Sequence, residues 1–308
     1  MDKRKTTYLC IVLGIISVVI FTAAATTNTT DGQQSESQEN NTFVVSRQIY
    51  IPKEVYLFGE RVPLEKYDVY ESLERELLVN TFYQSQTTQI LKYKHRFFPT
   101  IDSVLKANNI PLDFRYLAVA ESNLRVNISP KGAAGFWQII ESTAKLYKLQ
   151  VNEEVDQRYD LEKATEVACK YFKNAHKRFG NWTMAAASYN LGIGGLAKQA
   201  DFQGITSFYE LYTNSETSRY VFRILAFKLI LENPEQYGYI DIKPYKAVKQ
   251  KIVTVDTSIA NLAEFARSQG SNYKMLKTLN PWLRDKKLTN TDSIPYKIIL
   301  VEEKERLR

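Results

Sequence analysis

Histidine and cysteine are scarce. Two histidines, His95 and His176, leave almost no material for a Ser-His-Asp triad or a zinc site. There are also two cysteines, Cys10 and Cys169, and Cys10 falls inside the N-terminal apolar run, so the remainder of the chain holds no cysteine pair to bridge. Cys169, in "VACKYF", reads as a buried small hydrophobe and not as a catalytic thiol. No zinc-finger spacing, no RNA-binding signature and no internal repeat is found. The net charge of +7 in 308 residues favours anionic surfaces such as lipid headgroups or an acidic glycan, but the basic residues are scattered. Nucleic acid is therefore not expected as a partner.

Aromatic residues are plentiful instead, with 20 tyrosines and 15 phenylalanines. They fill cores, and they also line grooves that bind sugar rings. The N-terminus pairs a charged "MDKRKTT" with an uninterrupted apolar run from Tyr8 to Ala25, the pattern of an export signal. "AAA" at 23–25 offers a small-residue cleavage site, and the run is also almost long enough to remain as a membrane anchor, so residues 1–25 are a signal peptide or a signal anchor. Residues 26–42, "TTNTTDGQQSESQENNT", are polar and low in complexity, and a disordered linker is expected there.

The body of the chain, 43–238, has the spacing of helices. "SRQIYIPKEVYLFGERVPL" is an extended lead-in. Helical periodicity then runs from Val69 to about Ala107, with a break expected at Pro99. Further helices are expected at "YLAVAE", "WQIIESTAKLYKL", "LEKATEVACKYFKNAHKRF", "WTMAAASYNLG" and "SETSRYVFRILAFKLILENP". From residue 246 to 302 the pattern changes to strand, helix, helix, strand: "KIVTV", "SIANLAEFARSQ", "YKMLKTLNP" and "YKIILVEE". This small α+β module is expected to be separate from the helical body. The fold class is thus mainly α with a small α+β C-terminal module.

Within "YLAVAESNL" one residue is out of place. Tyr116 to Ala120 form an apolar helix, and Glu121 then meets both desolvation and the negative end of the helix dipole. Both effects raise a glutamate's pKa, so Glu121 is either an accident of a helix end or a proton donor. Glycosidic bonds are usually cleaved by two carboxylates. Asp113 has the position of a capping acid, Glu141 that of a solvent-facing residue, and Asp156 and Asp160 those of loop and cap residues with Arg158 nearby. None stands out as a second catalytic carboxylate.

Four segments, "AVAESNL", "SPKGAAGFWQI", "AAASYNLGIGGL" and "ETSRYVFRILA", resemble in their order the catalytic domain of the lytic transglycosylases, in particular the membrane-bound D type, over about Ile51 to Gly238. The resemblance implies a goose-lysozyme-like helical fold acting on peptidoglycan glycan strands, in the periplasm of a Gram-negative bacterium, with no cofactor. Carried over residue by residue, Glu121 is the general acid and then the base. Ser122 helps orient the acid or substrate. Gly132, Gly135, Phe136, Trp137 and Gln138 wall the glycan groove. Tyr189 and Asn190 contact substrate near the acid, and Tyr220 hydrogen-bonds the glutamate. Glu216 and Arg219 are expected to be structural. Residues 246–302 resemble a degenerate LysM module, keeping the Asp-Thr step in "VTVDTSIANLA" and the Leu-Asn-Pro segment in "LKTLNPWL" but lacking the usual glycine before that aspartate.

One carboxylate is enough if no water has to be activated. The implied reaction cleaves the bond between N-acetylmuramic acid and N-acetylglucosamine non-hydrolytically and leaves a 1,6-anhydro end. The alternatives are a lysozyme-type muramidase, which needs an aspartate near Glu121 to hold water, and a non-catalytic glycan-binding scaffold.

Overall fold

Eleven of the eighteen residues of one helix, Ser215–Glu232, are buried, from Thr217 to Leu231. A helix buried over most of its surface belongs at the centre of a bundle. In the computed structural model, which describes residues 48–306, it does. The helices of the body are α1 (Tyr67–Phe82), α2 (Gln84–Ala107), α3 (Phe114–Ser122), α4 (Glu141–Leu146), α5 (Leu161–Phe179), α6 (Trp182–Leu191), α7 (Ile193–Gln203) and the central α8 (Ser215–Glu232). Helix α8 packs on α1, α3 and α6, and α5 bridges α2 and α6. Asn214 starts α8 by accepting the N–H groups of Glu216 and Thr217 at 3.0 and 2.9 Å, and Asn181 and Asp160 cap α6 and α5 in the same way. Gly180 closes α5 in the left-handed conformation. The expected signal segment 1–25 and linker 26–42 lie outside the described residues. Among the described residues, no helix is long and apolar enough to cross a membrane.

Several expectations need correction. The break in the first helical stretch falls at Tyr83, and α2 runs straight through Pro99. Proline removes one donor, and the carbonyl it leaves unpaired belongs to exposed His95, where water can serve. Ile90 and Leu91 before the proline, and Ile101 and Leu105 after it, keep one buried face. The lead-in contains a short hairpin, β1 (Tyr56–Leu57) against β2 (Glu60–Arg61), turning through Phe58 and Gly59 at positive φ. Of "WQIIESTAKLYKL" only Glu141–Leu146 is helical. Helix α7, in glycine-rich "IGGLAKQADFQ", was not expected; Leu196 and Ala200 bury its inner face. Asp113 sits at the start of α3 but its carboxylate makes no cap bond. It accepts the Phe58 N–H at 2.7 Å and pairs with Lys228 at 2.8 Å.

The C-terminal module has the expected order, with β3 (Lys251–Val255), α9 (Leu262–Ser268), α10 (Tyr273–Leu279) and β4 (Tyr296–Leu300). Strands β3 and β4 pair antiparallel from Lys251–Leu300 to Val255–Tyr296. The module is not free of the helical body. Its core of Leu262, Ala266, Leu276, Trp282, Leu283, Leu288, Tyr296, Ile298 and Leu300 is completed by Ala134, Val155 and Tyr159 from the body.

Candidate active site

Helix α3 ends one residue after Glu121. Asn123 and Leu124 both take left-handed backbone conformations, φ 53° and 57°, and the Asn123 N–H closes on the carbonyl of Val119 at 2.8 Å. Asparagine tolerates this region and leucine does so at a cost. Leu124 is buried, which holds the turn in place. Glu121 therefore sits in the last helical turn, at the negative end of the dipole and without a basic residue beside it in that turn.

The side chain is half-buried. Burial pushes its pKa up to about 7; the hydrogen bond from Tyr220 and the charge of Arg223 pull the other way, and the charge of Glu216 adds to the rise. Tyr220 is buried and donates its phenol hydrogen to Glu121 Oε1. No other hydrogen bond to this carboxylate forms among the described residues. Burial and the neighbouring glutamate charge hold the Tyr220 and Tyr189 phenols well above the usual range, so both remain donors.

Tyr189 donates to the backbone carbonyl of Trp137 at 2.7 Å. This bond joins α6 to the turn at 132–139. Asn190 does not cap its own helix. Its Oδ1 accepts the Thr217 hydroxyl at 2.7 Å and its Nδ2 donates to Glu216 at 3.2 Å, so it ties the end of α6 to the start of α8. Glu216 is thereby fixed beside the site, while Arg219 turns away to Glu76 at 2.6 Å.

The turn itself is built on close approach. Gly135 has φ +77°, and a Cβ placed there would fall 1.9 Å from the carbonyl oxygen of Arg158. Only glycine fits. Gly132 also has positive φ, with open space where its side chain would be. Gln138 folds back on the turn, donating to the carbonyls of Gly135 at 2.9 Å and Asn127 at 3.2 Å.

Three of the residues expected at the substrate turn their side chains to the interior. Trp137 is fully buried and its indole N–H donates to Thr165 Oγ1 at 2.8 Å. Phe136 is 4% exposed and packs on Phe97 with ring centroids 4.9 Å apart. Ser122 is 2% exposed and donates back to the Ala118 carbonyl at 3.0 Å. All three side chains are spent on the interior; what the turn offers its neighbours is backbone. Of the predicted set, Tyr220 bonds Glu121 directly, Tyr189 lies near enough to feel its charge, and Asn190 is tied to Glu216 and Thr217 at the start of α8.

The other acids divide much as their positions suggested. Glu141 is exposed and pairs with Lys145 at 2.6 Å, and Asp160 caps α5. Asp156 and Arg158 form a buried ion pair at 2.7 Å. Cys169 is buried, and burial pushes its thiol up to about 12, which removes it as a nucleophile.

Sequence reasoning missed Arg223, whose charge bears on Glu121, and Glu76, a fully buried carboxylate that faces Arg219 and Arg223 at 2.6 and 3.5 Å. The i, i+3 and i, i+4 spacing of "RYVFR" puts Arg219, Tyr220 and Arg223 close together on α8 and was available as a signal. Glu76 lies more than 140 positions earlier in the chain and gave none.

Residues 101–211 match the family model described as the transglycosylase SLT domain, which contains Glu121, the 132–139 turn, Tyr189 and Asn190. This part of the chain is similar to that domain. Residues 251–304 match a second family, the soluble lytic transglycosylase C-terminal LysM-like domain. The chain is 31% identical over 183 residues to the membrane-bound lytic murein transglycosylase D of Escherichia coli strain K12, an alignment covering 57% of this chain and 40% of the relative. The same figures hold for the protein of that name from Escherichia coli O6:H1. A putative tributyltin chloride resistance protein of Alteromonas sp. strain M-1 is 34% identical over 92 residues, which cover 29% of this chain and 44% of the relative. The chain thus spans less than half the length of these relatives. Tyr220 lies beyond the matched segment, yet it supplies the hydrogen bond to that segment's Glu121.

Proposed function

We propose that the chain is a peptidoglycan lytic transglycosylase that cleaves the β-1,4 bond between N-acetylmuramic acid and N-acetylglucosamine. The observation that carries this reading is a single half-buried glutamate, Glu121, whose pKa stands at about 7 and whose position is set by a neutral phenol. A group poised there can be protonated when substrate arrives and deprotonated one step later. Glu121 gives its proton to the bridging oxygen, and the substrate's N-acetyl group stabilises the cation developing at C1. The carboxylate then takes the proton of the muramoyl C6 hydroxyl, and that oxygen closes on C1 to form the 1,6-anhydro ring. Intramolecular attack has high effective molarity, so no second carboxylate is required to activate water. Tyr220 fixes the carboxyl by hydrogen bonding to one oxygen and leaves the other for the substrate.

The hydrolase alternative retains one observation in its favour. Glu216 is exposed and held by Asn190, and its charge bears on Glu121, so it is the carboxylate best placed to hold a water. The hydrophobic run at Tyr8–Ala25 supports export to the cell envelope, with the helical body in the periplasm and the N-terminal segment either removed as a signal peptide or kept as a membrane anchor. Clearing of purified peptidoglycan tests the enzymatic reading. Wild type is expected to clear it, and folded Glu121→Gln is expected to lose at least roughly 10²–10⁴-fold in rate. Unchanged clearing by that variant would remove Glu121 from the chemistry.

A further inference from the structure

We propose that the C-terminal module forms the back wall of the active-site turn, with Asp156 and Arg158 as positioning residues that hold residues 132–139 in place for the reaction. The inference rests on the transglycosylase reading of Glu121 and concerns what keeps that site in shape.

The turn has two sides. On the front, the Trp137 carbonyl accepts the Tyr189 phenol, which stands with Tyr220 beside Glu121. On the back, Ala134 bridges to Ile128 and Ile139 and is fully buried in the module's own core with Leu262, Leu276 and Trp282. At Ala134 the turn's apolar cover comes from the module together with Val155 and Tyr159, while Phe136 and Trp137 pack into the helical body.

The segment 150–160 locks the two together. Toward the module, the Asp156 N–H donates to the Trp282 carbonyl at 2.9 Å and the Glu154 carbonyl accepts the Arg284 N–H at 2.7 Å. Val155 bridges Leu283 in antiparallel fashion, so this is backbone pairing and not a loose surface contact. The Glu154 carboxylate accepts the Thr289 N–H at 2.6 Å and pairs with Lys287 at 3.1 Å, while the Tyr296 phenol donates to Gln150 at 2.7 Å. Toward the turn, Arg158 is held by Asp156 through Nε at 3.0 Å and Nη2 at 2.7 Å, and its Nη1 donates to the carbonyls of Gly132 at 2.9 Å and Ile139 at 3.4 Å. Those two carbonyls flank the turn, and Arg158's own carbonyl fills the space beside Gly135. One rigid, always charged fork thus clamps the start and end of the element that carries Trp137.

A module that only tethers the enzyme to glycan raises local concentration and is neutral toward a short soluble substrate. A module that shapes the site acts on turnover whatever the substrate size. The second behaviour follows from a shared core.

The test uses the full chain, short soluble glycan strands and purified sacculi, with wild type, Glu121→Gln, Arg158→Ala, Arg158→Lys and Glu154→Ala. Arg158→Ala is expected to lower kcat on both substrates on the order of 10- to 100-fold, the scale of a small misplacement of reacting groups. Arg158→Lys is expected to recover part of it, since an ammonium can still reach one carbonyl. A loosened turn also admits water to Glu121, so the pH above which kcat/KM falls is expected to drop below that of wild type. The charged and titratable groups that face the carboxyl, Tyr220, Arg223 and Glu216 on α8 and Tyr189 on α6, are unchanged in these variants. If Arg158→Ala does not fold, Glu154→Ala decides, because it loosens the module at a partly exposed site and is expected to move kcat and the pH profile in the same direction by a smaller factor. Folded variants with wild-type kcat on short glycans and an unmoved pH profile would overturn the proposal, including the case where only sacculus binding weakens. An inactive wild type, or an active Glu121→Gln, would instead overturn the transglycosylase reading.

Discussion

The phenol of Tyr220 donates its hydrogen to Glu121 Oε1 from 99 positions further along the chain. The bond stabilises the carboxylate form, so it holds the pKa below the value that burial alone would set. Tyr220→Phe keeps the ring and removes that restraint. The pH above which kcat/KM falls is expected to move upward, and the neutral-pH rate to drop by about 10-fold or more as the carboxyl loses its orientation. A pH-rate profile checks both; a downward or absent shift contradicts the assignment.

Glu121 also sets how stability depends on pH. In the unfolded chain its carboxyl titrates near 4.5, and in the folded protein near 7. Between these values the folded state keeps a proton that the unfolded state has released, so stability falls as pH rises through the window and levels off above it. Allowing for solvent that reaches the half-buried side chain, the loss is roughly 1–3 kcal/mol. Glu121→Gln is neutral throughout and escapes it. Urea unfolding is expected to show the variant gaining on wild type as pH is raised from about 4.5 to about 8, with no further gain beyond. A constant difference across that range would contradict the raised pKa.

Gly135 permits no side chain. Gly135→Ala forces a positive φ on an L-residue and drives its Cβ into the Arg158 carbonyl at 1.9 Å. The expected cost is on the order of 3 kcal/mol or more in unfolding free energy, with loss of activity from the displaced turn. Gly132→Ala, where the space is open, is expected to cost only the backbone strain, about 1 kcal/mol. Equal effects at the two glycines would contradict the clamp described for Arg158.

What the sequence showed and what it hid divide along physical lines. Helix α5, strand β3 and helix α8 carry their own periodicity and caps, and their limits lie within a residue or two of the expected ones. Glu121 stood out because a charge in an apolar helix end conflicts with its surroundings, and the conflict persists in the fold. The tertiary terms were not legible. Whether Trp137, Phe136 and Ser122 face a groove or the interior depends on what packs behind them, and Thr165, Phe97 and the helix's own Ala118 carbonyl supply the answer. Pro99 failed as a helix breaker because the unpaired carbonyl falls on a solvent-facing residue. The docking of the module rests on Ala134, Val155 and Tyr159, three residues with no shared period and no local mark.

The most direct test of the account is the chemical form of the ends that the enzyme makes. Purified sacculi digested by the wild-type chain, with products separated and weighed by mass spectrometry, are expected to yield 1,6-anhydromuramoyl ends and no new reducing ends, since the C6 hydroxyl and not water closes on C1. Reducing ends in their place would mean that water is activated, with Glu216 the group to examine, and the transglycosylase assignment would fall.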